Sequence, residues 1–373
     1  MASRRLMNAG GGTGGHLFPA IAVCDEIVGR GGVVRFVGTA AGLEARVLPA
    51  GGYDLQLIRV SGLKRVGAAG FARGVLRLPA ALWQSRRLIG EFRPDVVIGV
   101  GGYASGPVVL AAALAGRATA IMEQNSIPGV TNRVLGRVCR RVYLALEPAR
   151  EYFPPRKTLL LGNPVRRAIR EAASAPAPGG ARPRVLAVGG SQGAHVVNEH
   201  LVQAVKLLYQ RGRAFSLLHQ TGAPDRDAIA ARYRELDPDG TALEARAFVD
   251  DMATAYRDAD VVVGRAGATT IAEVCAVGRP ALLVPFPFAA ADHQEINARV
   301  LERAGAATVL RQQGLTPEKL AAALDALLGD AAARARMGAA ARALGHPDAA
   351  RDIVDDLERL VQPASAAFTA RSA

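Results

Sequence analysis

Short unbroken apolar runs bounded by glycine alternate along this chain with longer stretches of helical periodicity. The runs lie at 35–38, 95–100, 184–188, 260–264 and 281–285. Strands that read as continuous apolar segments, separated by helices, belong to a parallel sheet covered on both faces, so the pattern predicts a doubly wound α/β fold. The pattern also repeats. Residues 7–27 read strand, Gly-Gly-Thr-Gly-Gly, helix, and residues 186–205 read strand, Gly-Gly-Ser-Gln-Gly, helix. A second echo pairs Asp-Val-Val-Ile-Gly-Val-Gly-Gly at 95–102 with Asp-Val-Val-Val-Gly-Arg-Ala-Gly at 260–267. Two Rossmann-like domains facing a cleft are therefore expected, over 1–163 and 164–346. Their junction follows Gly162-Asn163-Pro164, and the Ala-, Pro- and Gly-rich stretch 172–183 reads as a loop. An amphipathic helix at 347–361 is expected to pack back on the first domain, with 362–373 as a flexible tail.

Length agrees with this division, because 373 residues exceed what one hydrophobic core usually supports. The net charge of +13 matters mainly through its distribution. Residues 1–160 hold 21 Lys and Arg against 9 Asp and Glu, while the remainder holds 25 against 24. A one-sided basic field favours an anionic partner: nucleic acid, an anionic membrane or a phosphorylated substrate. Cys24, Cys139 and Cys275 lie far apart without Cys-x-x-Cys spacing, which argues against a disulfide framework or a zinc site and for buried, reduced thiols. The N-terminus lacks the apolar core and cleavage site of a signal peptide, so no export is expected. The longest apolar stretch, 107–116, is too short to span a bilayer, which takes roughly twenty residues. Membrane contact is expected to be peripheral.

The two glycine loops carry the candidate chemistry. A strand that ends in glycines and opens into a helix gathers backbone N–H groups and the positive helix end around one point, which suits a phosphate. Thr13 and Ser191 add hydroxyl donors there. A tight strand-to-helix turn needs glycine for steric reasons alone, but two matched loops in two matched domains point to function. Gly10, Gly12 and Gly15 satisfy G-x-G-x-x-G, yet a dinucleotide site wants an acid at the end of the second strand, and none occurs before Glu44. That weakens a dehydrogenase reading. In the second half, small residues from Arg265 to Ala272 open a helix containing Glu273, a carboxylate suited to ribose hydroxyls. Asp292, His293, Gln294, Glu295 and Asn297 follow the last apolar run, at the sheet edge where α/β ligands bind.

His16 starts the first helix beside the glycine loop, where a neutral imidazole suits a general base or simply packs. The Asp-x-Asp patterns at 237–239 and 258–260 lie in a polar loop and at a strand entry, and neither reads as a metal site. Between residues 63 and 93, Phe71 and Trp83 are interleaved with Lys64, Arg65, Arg73, Arg77, Arg86 and Arg87. An apolar stripe flanked by bases is how a helix rests on an anionic bilayer, and the charge asymmetry favours that over a merely solvated face. No motif or aromatic platform for nucleic acid is present.

Taken in order, the motifs resemble the MurG glycosyltransferases over nearly the whole chain. Those that carry the resemblance are Gly11 through Ala20, Ser61-Gly62-Leu63, Gly101-Gly102-Tyr103, Glu123-Gln124-Asn125, Gly162 through Arg166, Gly190 through Ala194, Phe248 through Met252, Arg265 through Glu273 and Asp292-His293-Gln294. Asn8 departs from the apolar residue expected in the first strand. The resemblance implies a metal- and cofactor-independent, inverting enzyme of the glycosyltransferase B fold, peripheral on the cytoplasmic face of the plasma membrane. It would move N-acetylglucosamine from UDP-N-acetylglucosamine to the C4 hydroxyl of undecaprenyl-diphosphoryl muramoyl-pentapeptide, converting lipid I to lipid II.

By the same resemblance, Ser191 and its loop hold the donor diphosphate and the backbone near Val249 reads uracil. Ala268, Thr269, Thr270, Ile271 and Ala272 lead the helix whose Glu273 takes the ribose, and Gln294 contacts the sugar. Thr13, Gly14, Gly15, Asn125 and Arg166 complete the donor site from across the cleft, Gly101, Gly102 and Tyr103 face the acceptor, and the loop from Thr13 to His16 handles the acceptor's diphosphate and the transferred proton. His16 and Glu123 both remain candidates for the base. Related transferases for another lipid acceptor, such as a diacylglycerol, and UDP-sugar epimerases are the alternatives, with the loop 101–107 as the discriminating feature.

Overall fold

The structure, a computed structural model, describes residues 4–60, 68–175, 182–189, 193–289 and 292–362, with side chains from residue 78 onward in the helix Ala68–Phe92. Two compact units divide the chain. One comprises residues 1–164 with 348–373, the other 165–347. Among the described residues the first unit contains strands β1 (Arg5–Ala9), β2 (Val33–Gly38), β3 (Leu55–Leu57), β4 (Val96–Gly99), β5 (Ala118–Glu123), β6 (Arg141–Leu144) and β7 (Thr158–Leu160). The second contains β8 (Arg184–Val188), β9 (Ser216–Gln220), β10 (Leu243–Arg246), β11 (Val261–Gly264), β12 (Ala281–Leu283) and β13 (Ala307–Val309).

The sheets run β3-β2-β1-β4-β5-β6-β7 and β10-β9-β8-β11-β12-β13, and every strand pairing is parallel. Both faces of each sheet are buried, which is why the strands read as unbroken apolar runs. Met7, Ala9 and Val97 serve one face of the first sheet, and Leu6, Phe36 and Ile98 the other. In the second sheet Val185, Ala187 and Val263 face one core, and Leu186, Val188 and Val262 the opposite one. Asn8 is buried in β1, opposite Phe36 and Ile98 in register.

The echo in the sequence is an echo in space. Asp95 accepts the backbone N–H of Arg5 at 2.8 Å, tying the start of β4 to the start of β1. Asp260 accepts the N–H of Arg184 at 2.8 Å and does the same for β11 and β8. Strand order reverses beside β1 and beside β8, so the ends of these two strands are the switch points where α/β ligands bind.

The helix Ala349–Val361 belongs to the first unit, and its apolar stripe explains why. Ile353, Val354 and Leu357 are buried against the core that holds Leu6 and Leu17. Its Asp356 accepts from Arg141 Nε at 2.7 Å and from the Tyr143 hydroxyl at 2.9 Å, and Arg30 reaches Asp355 at 2.7 Å. Cys24, Cys139 and Cys275 are free and buried. Among the described residues no helix is long and apolar enough to cross a membrane.

Candidate functional site

In the first unit the chain leaves β1 through Gly10, Gly11 and Gly12, all at positive φ (137°, 139° and 91°), a conformation that side chains other than glycine rarely adopt. Thr13 then caps the helix Gly14–Gly29 in extended conformation. Beneath this turn lies Glu44, the first residue of the helix Glu44–Ala50, only 1% exposed. Its Oε2 accepts the Gly12 N–H at 2.6 Å, and its Oε1 accepts the Thr39 N–H and Thr39 hydroxyl, both at 2.9 Å. A side chain at position 11 would meet this carboxylate at 2.5 Å. The loop therefore already holds an anion, the protein's own.

The His16 ring is half-buried on the first turn of its helix. Its Nδ1 lies 3.2 Å from the Thr13 hydroxyl. The other edge of the ring fills the space over Gly101, where a Cβ would approach Nε2 to 2.8 Å. Gly102 sits equally close to the Gly11 backbone, with 2.7 Å between a would-be Cβ and the Gly11 carbonyl. Both glycines have positive φ, 93° and 80°. The loops that follow β1 and β4 thus pack backbone on backbone, with His16 at their junction and Tyr103 exposed beside them.

Glu123, at the end of β5, is buried. Its Oε1 accepts the Asn125 N–H at 3.0 Å, and its Oε2 accepts Asn132 Nδ2 at 2.9 Å. Burial pushes its pKa up, against the lowering effect of those hydrogen bonds. Both oxygens are engaged in shaping the turn that carries half-buried Asn125.

In the second unit, Glu273 is buried within the helix Ala268–Val277, and its Oε1 meets Arg166 Nη2 at 3.0 Å. Burial raises its pKa while Arg166 and the Tyr256 hydroxyl pull it down. Gly267 precedes the helix in extended conformation without a side-chain cap, leaving its first turn, with half-buried Thr269 and Thr270, to present the positive end of the helix dipole. Ile271 faces the core and Ala272 is half-buried. The N–H of Val249 donates to Gln220 Oε1 at 3.0 Å, so a pyrimidine read there would face backbone other than that N–H. Gln294 Oε1 accepts the Phe286 N–H at 3.0 Å and shapes the turn after β12. Arg265 braces the same turn through the carbonyls of Val284 and Pro285, and burial lowers its pKa to about 10. Ser191 lies outside the described residues, but its neighbour Gly193 has φ 76° and presses on the Thr221 carbonyl.

Of the basic segment, Lys64 and Arg65 lie outside the described residues, and Phe71, Arg73 and Arg77 fall on the helix Ala68–Phe92. Trp83 is 64% exposed, Arg86 is exposed, and Arg87 is paired with Glu91 at 2.7 Å. The neighbouring helices add Leu114 and the exposed series Val130, Val134 and Val138, with Arg133 stacked on Tyr152 at 4.4 Å.

Two family models match the chain: the glycosyltransferase family 28 N-terminal domain over residues 6–144 and the C-terminal domain over 184–353. A relative from Anaeromyxobacter sp. (strain Fw109-5) is 49% identical over 96% of this chain and 94% of its own length; its name is UDP-N-acetylglucosamine--N-acetylmuramyl-(pentapeptide) pyrophosphoryl-undecaprenol N-acetylglucosamine transferase. A Myxococcus xanthus protein of the same name is 44% identical over 94% of this chain and 91% of its own. The crystal structure of MurG from Acinetobacter baumannii superposes with a TM-score of 0.77 at 32% identity, covering 95% of this chain and 99% of that one. The chain belongs to the MurG family of glycosyltransferases.

MurG membership makes this a glycosyltransferase B fold, as the two doubly wound sheets already suggested. Within this chain the sequence motifs converge on two places: His16, Thr13, Gly101 and Gly102 at the first switch point, and Arg166 with Glu273 in the second unit. Three features escaped sequence reasoning. Glu44 was passed over because it lies beyond the end of the second strand, and only the fold returns it beneath the loop. Nothing in the sequence links Arg166 to Glu273, 107 positions apart, and because Arg166 lies in the same unit as Glu273 the expectation that it reaches the donor site from the opposite domain is corrected. The spacing of Val130, Val134 and Val138 around Arg133 and Arg137 is a helical stripe, a signal that periodicity could have found.

Proposed function

We infer that this chain transfers N-acetylglucosamine from UDP-N-acetylglucosamine to the C4 hydroxyl of undecaprenyl-diphosphoryl N-acetylmuramyl-pentapeptide, converting lipid I to lipid II in peptidoglycan synthesis. The observation that carries this is the 49% identity to a transferase of that name across 96% of the chain. The acceptor oxygen attacks the anomeric carbon in line, the bond from that carbon to the β-phosphate oxygen of UDP breaks, and the configuration inverts from α to β. The hydroxyl proton passes to a base.

His16 suits that task better than Glu123. His16 pairs its Nδ1 with the Thr13 hydroxyl, and an imidazole oriented in that way suits a general base acting through Nε2. Glu123 instead spends both oxygens on Asn125 and Asn132. On the second unit, the first turn of the helix Ala268–Val277 meets the charge growing on the departing UDP, together with the Ser191 loop. Glu273 takes the ribose hydroxyls, exchanging part of its pairing with Arg166 for them, the backbone beside Val249 reads the base, and Gln294 orients the sugar.

The acceptor is anchored in a bilayer, and the exposed Trp83, Leu114, Val130, Val134 and Val138 beside Arg86, Arg133 and Arg137 support a peripheral seat on an anionic leaflet. We place it on the cytoplasmic face, where the nucleotide donor is available. The direct test incubates the purified protein with UDP-N-acetylglucosamine and a prenyl-diphosphoryl muramoyl-pentapeptide in the presence of a chelator. Chelator-insensitive transfer is expected. A folded protein that binds UDP yet forms no product overturns the acceptor assignment.

A further inference from the structure

We propose that Glu44 is a positioning residue for the transfer: an internal anion that occupies the first glycine loop and holds Thr13 and His16 in working geometry. This rests on the role for His16 given above. A glycine turn of this kind is a ready-made anion cradle, because its N–H groups converge on one point. Here the cradle is filled from below. Glu44 takes the Gly12 N–H at 2.6 Å, and the same carboxylate is pinned through Thr39 by two hydrogen bonds at 2.9 Å. Gly11, Gly38 and Gly42 lack side chains where a Cβ would collide with this carboxylate group, so the backbone of three segments is shaped around it.

Two consequences follow for the reaction. The Gly12 N–H is taken by Glu44 and is not available to the acceptor's diphosphate. The loop's task becomes placement, since Gly12 is joined directly to Thr13, and Thr13 holds Nδ1 of His16 at 3.2 Å. A buried carboxylate met by N–H and O–H donors is worth more to the geometry than a neutral group, because charge-assisted hydrogen bonds are roughly twice as strong.

Glu44→Gln tests this with little change of shape. The amide has one acceptor oxygen, and keeping both bonds to Thr39 turns its NH2 group onto the Gly12 N–H, donor against donor. We expect kcat to fall at least tenfold, with the KM for UDP-N-acetylglucosamine within twofold of wild type. Thr13→Val, which deletes the hydroxyl at His16, should also lower kcat, and the double variant Glu44→Gln/Thr13→Val should lose little beyond the larger single loss, because both act through one imidazole. A purely structural role for Glu44 would give multiplied losses, and that result, or a wild-type kcat in Glu44→Gln, overturns the proposal. If Glu44→Gln does not fold, Thr39→Val removes only one of the three hydrogen bonds and should lower kcat severalfold with the same coupling to Thr13→Val; multiplied losses or an unchanged kcat there overturn the proposal equally. An inactive wild-type protein would defeat the transferase reading instead, and a wild-type kcat in His16→Ala would defeat the base assignment.

Discussion

Glu44 and Glu273 are both buried carboxylates, one beneath the loop that leaves β1 and the other in the helix that follows β11, yet they are satisfied in opposite ways. Glu44 is met by backbone N–H groups and a hydroxyl of its own unit, and its oxygens are committed. Glu273 is met by a guanidinium whose side chain remains 29% exposed. The frames around them are the same, down to Asp95 and Asp260 closing equivalent strand starts. A repeated scaffold has therefore been turned to two uses. A carboxylate held by backbone donors sets a shape, whereas one held by a partly exposed guanidinium is paired with a single charged side chain.

The largest expected effect separates the units by chemistry. His16→Ala should lower kcat by about a hundredfold or more, the usual contribution of a general base, while the KM for UDP-N-acetylglucosamine changes little. Steady-state kinetics decide it, and a change in KM alone would show that His16 only packs. The second expectation concerns the Arg166–Glu273 pair. Arg166→Ala leaves Glu273 buried without its cation, at a cost of about 2 kcal/mol after allowance for the partial exposure of Arg166. Urea denaturation should register that loss, and donor KM should rise with kcat less affected. Equal damage from Arg166→Ala and Glu44→Gln in both parameters would erase the distinction drawn between the two carboxylates.

A smaller effect probes the charge asymmetry. Arg86→Gln should weaken binding to anionic vesicles about fivefold, since each basic residue near such a surface contributes about 1 kcal/mol. Arg226→Gln, an exposed arginine of the second unit, should leave binding unchanged, and vesicle sedimentation compares them. Parallel losses would show that net charge matters and the patch does not.

The smallest concerns pH. Burial lifts Glu123 above the ordinary glutamate value of 4.5. A carboxyl that holds its proton more tightly when folded adds stability below its unfolded value, and that addition fades as pH rises through the folded one. Wild type should accordingly lose stability as pH climbs from about 4.5 toward the raised value of Glu123, and Glu123→Gln should flatten that slope. Glu273 contributes in the same direction and keeps the variant's slope from vanishing. Denaturant titrations across that range provide the check. A loss of kcat in Glu123→Gln as large as that in His16→Ala would return Glu123 to the list of bases.

Much of this was legible in the sequence because parallel sheets write themselves plainly. Strands buried on both faces must be apolar throughout, so the runs at 95–100 and 184–188 identified β4 and β8 with little error at the ends. The repeated glycine loops marked both switch points, and the ordered motifs named the family. The apolar spacing at 347–361 announced the helix Ala349–Val361, although its seat on the first unit depends on Arg141, Tyr143 and Arg30 reaching its acidic residues.

Composition and spacing picked out His16 on a helix start and Glu273 in a small-residue helix as candidates, and the family resemblance added Glu123 at a strand end. Tertiary structure decided what each is free to do. Burial and the partners supplied by distant segments turned Glu123 into the brace of a turn and tied Glu273 to Arg166. They also brought Glu44, whose place in the sequence suggested nothing, beneath the glycine loop. A carboxylate's role depends on the donors around it, and in a doubly wound sheet those donors come from strands adjacent in space and far apart along the chain.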